Sequence, residues 1–141
     1  MKVLLDVNVA LDVLLDRAPH AAASAAVIGL AEAGRLQAFL AATSVTTIHY
    51  LIRRATAPRV ARRHLTTLLA ICDVAPVDGA ALRSALGLGF TDYEDAVLHV
   101  AARAARCRGI VTRDRAGFRR GSLPAWTPEE LLAALEFRPI R

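Results

Sequence analysis

Two short apolar segments that each lead into an aspartate restrict this chain to a small set of folds. Val3-Leu4-Leu5 is followed directly by Asp6, and the run Gly109-Ile110-Val111-Thr112 leads through Arg113 to Asp114. Buried strands of parallel sheets are short continuous apolar runs, and the ligands of such folds collect at the carboxyl ends of the strands. Asp6 and Asp114 both occupy that position, so the sequence predicts an acidic site at one edge of a parallel sheet.

The order of the predicted elements supports the same architecture. Apolar runs predict strands at residues 2–7, 36–41, 73–77 and 109–112, with a short fifth strand near Ala125. Helices are predicted at residues 8–16, 19–34, 44–55, 58–72 and 79–86. Two more are expected to begin at the capping boxes Thr91-Asp92-Tyr93-Glu94 and Thr127-Pro128-Glu129-Glu130, in which the first residue caps the helix and the fourth reaches back to its amide. This alternation favours a single α/β domain over residues 1–141, with a mostly parallel central sheet and helices on both faces.

The composition indicates partners rather than a reaction. The chain carries a formal net charge of +5, and Lys2 is the only lysine among its eighteen Lys and Arg residues. Arginine suits bidentate contacts with phosphate, which favours a polyanion such as RNA, although an arginine bias also follows from genome composition. The apolar fraction of 55% is above the usual range and predicts either a well-filled core or extra apolar surface used for association. We therefore expect a homodimer or a standing partner.

The N-terminus and the two cysteines indicate a cytoplasmic protein. Asp6 interrupts the first apolar stretch, which argues against a signal peptide, and the apolar run at residues 21–31 is too short to span a bilayer. Cys72 and Cys107 lack the paired spacing of a zinc site or a disulfide framework. We therefore expect reduced cysteines in the core and no membrane attachment.

The helix predicted to begin at Thr91 brings further side chains toward the acidic edge. Asp92, Asp95 and His99 are spaced by three and four residues, so they project from roughly one face of that helix. Carboxylates in a first helical turn are also stabilised by the helix dipole, which gives one of them a purely structural explanation. Glu94 is expected to complete the capping box, and His99 is expected in the core.

An acidic cluster of this kind predicts a divalent cation. Carboxylates held together without a cation repel one another, and hard cations prefer oxygen ligands. The candidate ligands of Mg²⁺ or Mn²⁺ are Asp6, Asp92, Asp95 and Asp114.

Several polar residues around these acids are weaker candidates for a role in the site. Asn8 is expected to form a turn and orient the site, whereas Asp12 and Asp16 are spaced as on a solvated helix face. The candidate phosphate contacts are Thr112, Arg113 and Arg115. More distant candidates for phosphate contacts are Arg53, Arg54, Arg59, Arg62 and Arg63, of which the last three are expected on a solvated face.

These motifs resemble those of PIN domains, a group of metal-dependent nucleases that includes the VapC-type ribonuclease toxins of bacterial toxin–antitoxin pairs. The segment Val3-Leu4-Leu5-Asp6-Val7-Asn8 is similar to the family's opening motif, Asp95-Ala96 to its third acidic position and Thr112-Arg113-Asp114 to its fourth. Residues 124–132 resemble the closing segment of a PIN subgroup, so the resemblance covers nearly the whole chain. It implies that Asp6, Asp95 and Asp114 ligate one or two Mg²⁺ or Mn²⁺ ions, with Asp92 as an additional carboxylate.

One position departs from the family's pattern. The family usually places a glutamate near the start of the helix after the second strand, whereas this chain has no acid between Glu32 and Asp73. Thr46 or Thr47 occupies that region, and a hydroxyl can hold a metal-bound water but adds no negative charge. Thr47 is therefore a candidate orienting residue, and weaker metal affinity is expected.

The sequence leaves two functions open. The first is a metal-dependent endoribonuclease that cleaves single-stranded or structured RNA, with an antitoxin as partner if the protein is a toxin. The second is a non-catalytic RNA-binding or protein-partner module that keeps the fold with an incomplete metal site. Aspartate-phosphorylating phosphatases also begin with a strand that ends in Asp. They need a second Asp at the position where this chain has Asn8, and they need a basic residue, usually lysine, after a later strand. The only lysine of this chain is Lys2, so this class is disfavoured.

Overall fold

The computed structural model describes residues 1–136, which form an α/β fold around a five-stranded sheet. The strands are β1 (Lys2–Leu5), β2 (Gln37–Ala41), β3 (Asp73–Ala75), β4 (Gly109–Val111) and β5 (Ala125–Trp126). The helices are α1 (Val7–Leu14), α2 (Ala21–Glu32), α3 (Ala42–Ala55), α4 (Pro58–Ile71), α5 (Gly79–Leu86), α6 (Tyr93–Ala104) and α7 (Pro128–Glu136), with a 3₁₀ helix at Arg115–Phe118. The sheet order is β3-β2-β1-β4-β5, and every neighbouring pair is parallel. The predicted fold class is confirmed; the predicted domain also includes residues 137–141, which lie outside the described residues.

Alternating side chains of the central strands build a core on each face of the sheet. Val3 and Leu5 of β1 pack with α1, α2, α3, α4 and α7 on one face. Leu4, between them, packs with Leu98 of α6 and Phe118 of the 3₁₀ helix on the other face. Successive side chains of a strand point to opposite faces, so an uninterrupted apolar strand requires helices on both sides.

The register between β1 and β4 determines where the acids lie. Leu5 pairs with Val111, and the amide of Asp6 donates to the carbonyl of Val111 at 2.9 Å. Gly109 permits β5 to approach closely, because a Cβ at this position would lie 2.6 Å from the carbonyl oxygen of Pro124. The carboxyl ends of β1 and β4 are thereby held side by side, with Asp6 next to Thr112.

The two capping boxes have different outcomes. Helix α7 begins as predicted, since the amide of Glu130 donates to the hydroxyl of Thr127 at 3.1 Å. The box at Thr91 is wrong by one residue, because Asp92 caps α6 and accepts from the amides of Glu94 at 2.8 Å and Asp95 at 3.3 Å. Both Thr and Asp are good N-cap residues, so the local sequence did not distinguish them.

Two further expectations concern the cysteines and the membrane. Cys72 and Cys107 are buried free thiols, as predicted, and burial raises the pKa of each to about 11. Within residues 1–136, every helix is too short or too polar to cross a bilayer.

Candidate functional site

Three of the four predicted acids are held in place because they begin helices. Asp6 accepts from the amide of Val7 at 2.7 Å and caps α1, and Asp92 caps α6. Asp114 accepts from the amide of Gly117 at 3.3 Å and caps the 3₁₀ helix. A capping aspartate uses one oxygen on the helix amides and sits at the positive end of the helix. These caps hold the carboxylates locally, and each leaves a second carboxylate oxygen that the helix amides do not use.

A buried hydroxyl links the ends of β1 and β4. Thr112 is fully buried and donates to Oδ2 of Asp6 at 2.8 Å, while its hydroxyl accepts from the amide of Asp114 at 3.0 Å. Asn8 donates to Oδ2 of Asp6 at 3.4 Å and accepts from the amide of Arg113 at 3.3 Å. Asn8 thus bonds both to Asp6 and to the segment that leads to Asp114, and its orienting role stays a prediction. The expectation that Thr112 contacts phosphate is wrong, because its buried hydroxyl positions two acids instead.

Asp95 approaches Asp114 across the backbone of the 3₁₀ helix. A Cβ added to Gly117 would lie 2.6 Å from Oδ2 of Asp95 and 3.1 Å from Oδ2 of Asp114. The two carboxylates therefore border the same glycine, and the missing side chain leaves space between them. The carboxylate of Asp95 accepts no hydrogen bond from residues 1–136.

The electrostatics of Asp95 show that the acids act on one another. Burial, followed by the charges of Asp6, Asp92 and Asp114, raises the pKa of Asp95 to about 7. Burial and the charges of Asp114 and Asp92 also raise the pKa of Asp6, which the hydrogen bond from Thr112 partly opposes. We call Asp6, Asp92, Asp95 and Asp114 the acid cluster.

Within residues 1–136, no arginine or lysine side chain forms an ion pair with the acid cluster. The three ion pairs within residues 1–136 involve Asp12 and Glu130 as their acids and none of the cluster residues. Glu94 adds to the repulsion, because burial and the charges of Asp92 and Asp6 raise the pKa of its carboxyl. The sequence analysis expected the side chain of Glu94 to accept from the amide of the cap residue. The capping bonds of α6 are made by Asp92, which accepts from the amides of Glu94 and Asp95.

The donor set fits a hard divalent cation. Oxygen ligands, excess negative charge and spare carboxylate oxygens are what Mg²⁺ and Mn²⁺ require. In the described part of the chain, no three Asp, Glu, His or Cys side chains stand close enough to form a metal-ligating group as positioned. Cation binding would therefore require carboxylates of the cluster to turn toward it, and Asp95 is the least restrained of them.

Asp12 is a correction to the sequence analysis. It was expected on a solvated face, but its side chain is completely buried, whereas Asp16 is exposed as expected. Asp12 pairs with Nε of Arg17 at 2.9 Å and with Nε of Arg113 at 2.6 Å. Because Arg113 directly precedes Asp114, this pair ties α1 to the loop that carries a cluster acid. The sequence held one signal, an aspartate among the leucines of a short helix.

The arginines nearest the acids are engaged by other side chains. Arg113, a predicted phosphate contact, directs its guanidinium to Asp12. Arg115, the other, pairs with Glu130 of α7 at 2.7 Å. Neither is positioned as predicted for a free phosphate contact. The more distant Arg53 and Arg54 lie near the ring of Tyr50, and the α4 arginines at positions 59, 62 and 63 are exposed as expected.

Two other residues named in the sequence analysis, Thr47 and His99, form hydrogen bonds with the backbone. Thr47 lies in α3 and donates to the carbonyl of Thr43 at 3.2 Å, so the helix backbone engages its hydroxyl. His99 is buried as expected, and its Nε2 accepts from the amides of Ser122 at 3.0 Å and Leu123 at 3.3 Å. His99 thus fixes the loop after the 3₁₀ helix.

Comparison with known proteins identifies the family to which this fold belongs. A family model described as PIN domain matches residues 2–116. The sequence matches no curated protein.

Solved structures share the fold at low sequence identity. VapBC2 from Rickettsia felis, bound to a promoter DNA fragment, matches with a TM-score of 0.70 and 13% identity, covering 90% of this chain and 98% of that chain. A toxin–antitoxin complex from Klebsiella pneumoniae matches with a TM-score of 0.67 and 17% identity, covering 89% and 97%. The sarcin–ricin loop cleaving toxin VapC20 from Mycobacterium tuberculosis matches with a TM-score of 0.61 and 10% identity, covering 77% and 86%. The chain therefore belongs to the PIN-domain family, and its fold is that of VapC-like toxins.

Proposed function

We propose that this protein is a metal-dependent endoribonuclease whose reaction takes place at the acid cluster. The observation that carries the proposal is the repulsion among four carboxylates that no arginine or lysine of residues 1–136 neutralises. Perturbed carboxylates gathered at the end of a parallel sheet are typical of functional sites, because a folded protein otherwise disperses such charges.

Each residue of the site has a distinct task in this proposal. Asp6, Asp95 and Asp114 would hold Mg²⁺ or Mn²⁺, with Asp92 as a further ligand. When bound, such a cation would supply an activated water for attack on a phosphodiester and would neutralise charge on the leaving oxygen. Thr112 keeps Asp6 and Asp114 in fixed relative positions, and Gly117 leaves the space that Asp95 needs to turn.

Toxin identity and an antitoxin partner are the finer part of the proposal. The family membership and the fold shared with a sarcin–ricin loop cleaving toxin support RNA as the substrate. The fold shared with a protein in a toxin–antitoxin complex supports an antitoxin that binds this chain. The homodimer expected from the apolar composition stays a prediction.

One structural feature favours the alternative of a non-catalytic binding module. Helix α3 contains no acid at the position where the family usually has glutamate, and the hydroxyl of Thr47 is bonded to its own helix. The acid cluster then supplies all of the negative charge from β1, α6 and the loop after β4. A module of this kind would bind RNA without cutting it.

The test is cleavage of a labelled single-stranded RNA pool in Mn²⁺, in Mg²⁺ and in chelator. Wild type is compared with Asp95→Asn, Asp6→Asn and the exposed control Glu129→Gln, all purified identically to expose contaminating ribonuclease. The nuclease proposal requires cutting by wild type and Glu129→Gln in metal only, and its loss in both aspartate variants. Equal cutting by all four proteins, or none by any, contradicts it and favours the binding module.

A further inference from the structure

The arginines available to a substrate differ from those expected near the acids. Arg113 and Arg115 are paired with Asp12 and Glu130. Arg119 and Arg120, which follow the 3₁₀ helix, are exposed and form no ion pair within the part of the chain that the structure describes. They are therefore the cations nearest in sequence to Gly117 that remain open to a phosphate.

Arg119 and Arg120 line a cleft that also includes Gly117, the glycine beside the carboxylates of Asp95 and Asp114. This cleft, of about 300 Å³, is bordered by Phe90, Thr91, Ala116, Gly117, Arg119 and Arg120. We call it the Phe90 cleft. Gly117 borders the carboxylates of both Asp95 and Asp114, so this side of the cleft adjoins the proposed site of cleavage. A second hollow of about 660 Å³ shares Ala116 and Arg119 with it and continues past Pro124.

The aromatic wall of the Phe90 cleft packs against two buried rings. The ring of Phe90 packs edge-on against buried Phe118, with the centroids 6.3 Å apart, and tilts against buried His99 at 5.5 Å. His99 in turn accepts from the amides of Ser122 and Leu123, which fixes the backbone after Arg120. An aromatic ring that cannot turn away presents a preformed surface to a flat ligand.

We propose that the Phe90 cleft binds the unpaired base of a nucleotide next to the scissile phosphate, with Arg119 and Arg120 on the flanking phosphates. The proposal rests on the proposed nuclease function. A base against an aromatic side chain, beside arginines on the backbone, is the usual chemistry of single-stranded nucleic-acid binding. A duplex keeps its bases stacked and would not deliver one to the cleft, so the substrate is single-stranded or looped RNA.

An acidic peptide is a poorer occupant than a nucleotide. Carboxylates would pair with the arginines but leave the ring of Phe90 and the walls at Ala116 and Gly117 without a flat apolar partner. A nucleotide satisfies both the ring and the cations at once, so the proposal commits to RNA and makes the peptide an outcome of the test.

The experiment measures binding of a fluorescein-labelled single-stranded RNA in chelator, so that no cleavage occurs. Phe90→Leu and Arg120→Ala are compared with Arg62→Ala, which removes the same charge from an exposed position on α4, a helix that packs on α2, α3 and β3. We expect Phe90→Leu and Arg120→Ala each to weaken binding by about fivefold or more, and Arg62→Ala by less than about twofold. The number of ions released on binding, measured from the salt dependence of the affinity, should fall by about one for Arg120→Ala and be unchanged for Phe90→Leu.

A second arm separates the base from the backbone. An RNA series with one abasic nucleotide at successive positions should show one position where affinity drops for wild type and not for Phe90→Leu. The inference is overturned if both cleft variants bind like Arg62→Ala, if wild type does not bind RNA, or if a polyglutamate peptide competes as well as RNA. Thermal melting shows whether Phe90→Leu folds. If Phe90→Leu does not fold, Arg120→Ala, at an exposed position, gives an independent result.

The outcome is distinguishable from failure of the proposed function. RNA binding that depends on Phe90 and Arg120 without metal-dependent cutting supports the cleft and rejects the nuclease. Metal-dependent cutting with cleft variants that bind normally supports the nuclease and rejects the cleft.

Discussion

Replacing Asp95 by asparagine should stabilise the protein when no divalent cation is present. The carboxyl of Asp95 has a pKa of about 7 in the folded protein and an ordinary value of 3.8. The folded state therefore binds more protons between these values, and stability falls as the pH rises from about 4 to about 7. At pH 8 Asp95 is ionised in the folded state, and the full free-energy cost of this ionisation lowers the stability. Asp95→Asn removes that cost.

The size of the effect follows from the shift. Three pKa units correspond to at most about 4 kcal/mol, and solvent screening at this half-buried side chain reduces that to about 2 kcal/mol. The loss of a favourable charge in the first turn of α6 subtracts about 0.5 kcal/mol. A net gain of about 1.5 kcal/mol raises the Tm by about 5 °C for a chain of this size.

The assay is thermal unfolding in chelator at pH 8 and pH 4, with Glu129→Gln as the exposed control. The gain for Asp95→Asn should be present at pH 8 and absent at pH 4, where the wild-type carboxyl is protonated in the folded state. A variant that melts below wild type at pH 8 in chelator would refute the claim that the acids repel one another.

Three further changes have specific expected results. Gly117→Ala should weaken Mn²⁺ binding by about tenfold, because its methyl group displaces the neighbouring carboxylates, and should change the free energy of unfolding by no more than about 0.5 kcal/mol. Gly29→Ala, whose methyl group enters open space, should leave Mn²⁺ binding unchanged. Calorimetric titration measures the binding, and thermal melting measures the stability. Asp12→Asn should lose about 1.5–3 kcal/mol in urea unfolding because two arginines lose their buried partner, whereas exposed Asp16→Asn should lose little. Burial lowers the pKa of His99, so wild-type stability relative to His99→Gln should fall as the pH drops through about 6.5, and a constant difference would contradict this.

The positions of Asp6 and Asp114 could be predicted because they depend on local rules. An apolar run predicts a strand, and parallel strands align their carboxyl ends, so two aspartates after such runs must lie near one another. Asp92 and Asp95 followed from the spacing of one helix. The register of Leu5 with Val111 brings the residues that follow β1 and β4, Asp6 and Thr112, side by side.

The surroundings of the acids depended on contacts between distant segments. The spacing of Asp12 and Asp16 identifies a helix face but not what covers it, and Asp12 is covered by Arg113, which lies 101 residues later in the chain. The buried state of Thr112 follows from β5 pairing beside β4, since its amide donates to the carbonyl of Trp126. Gly117 has no sequence signal beyond being a glycine in a polar loop.

Direct binding of Mn²⁺ tests the central claim most closely, because the account depends on the acid cluster holding a divalent cation. Electron paramagnetic resonance counts free Mn²⁺ in titrations of wild type, Asp95→Asn and Glu129→Gln at pH 8. We predict one or two sites per chain in wild type and Glu129→Gln, with affinity reduced by at least about tenfold in Asp95→Asn. Equal binding by all three proteins, or none by wild type, would contradict the account.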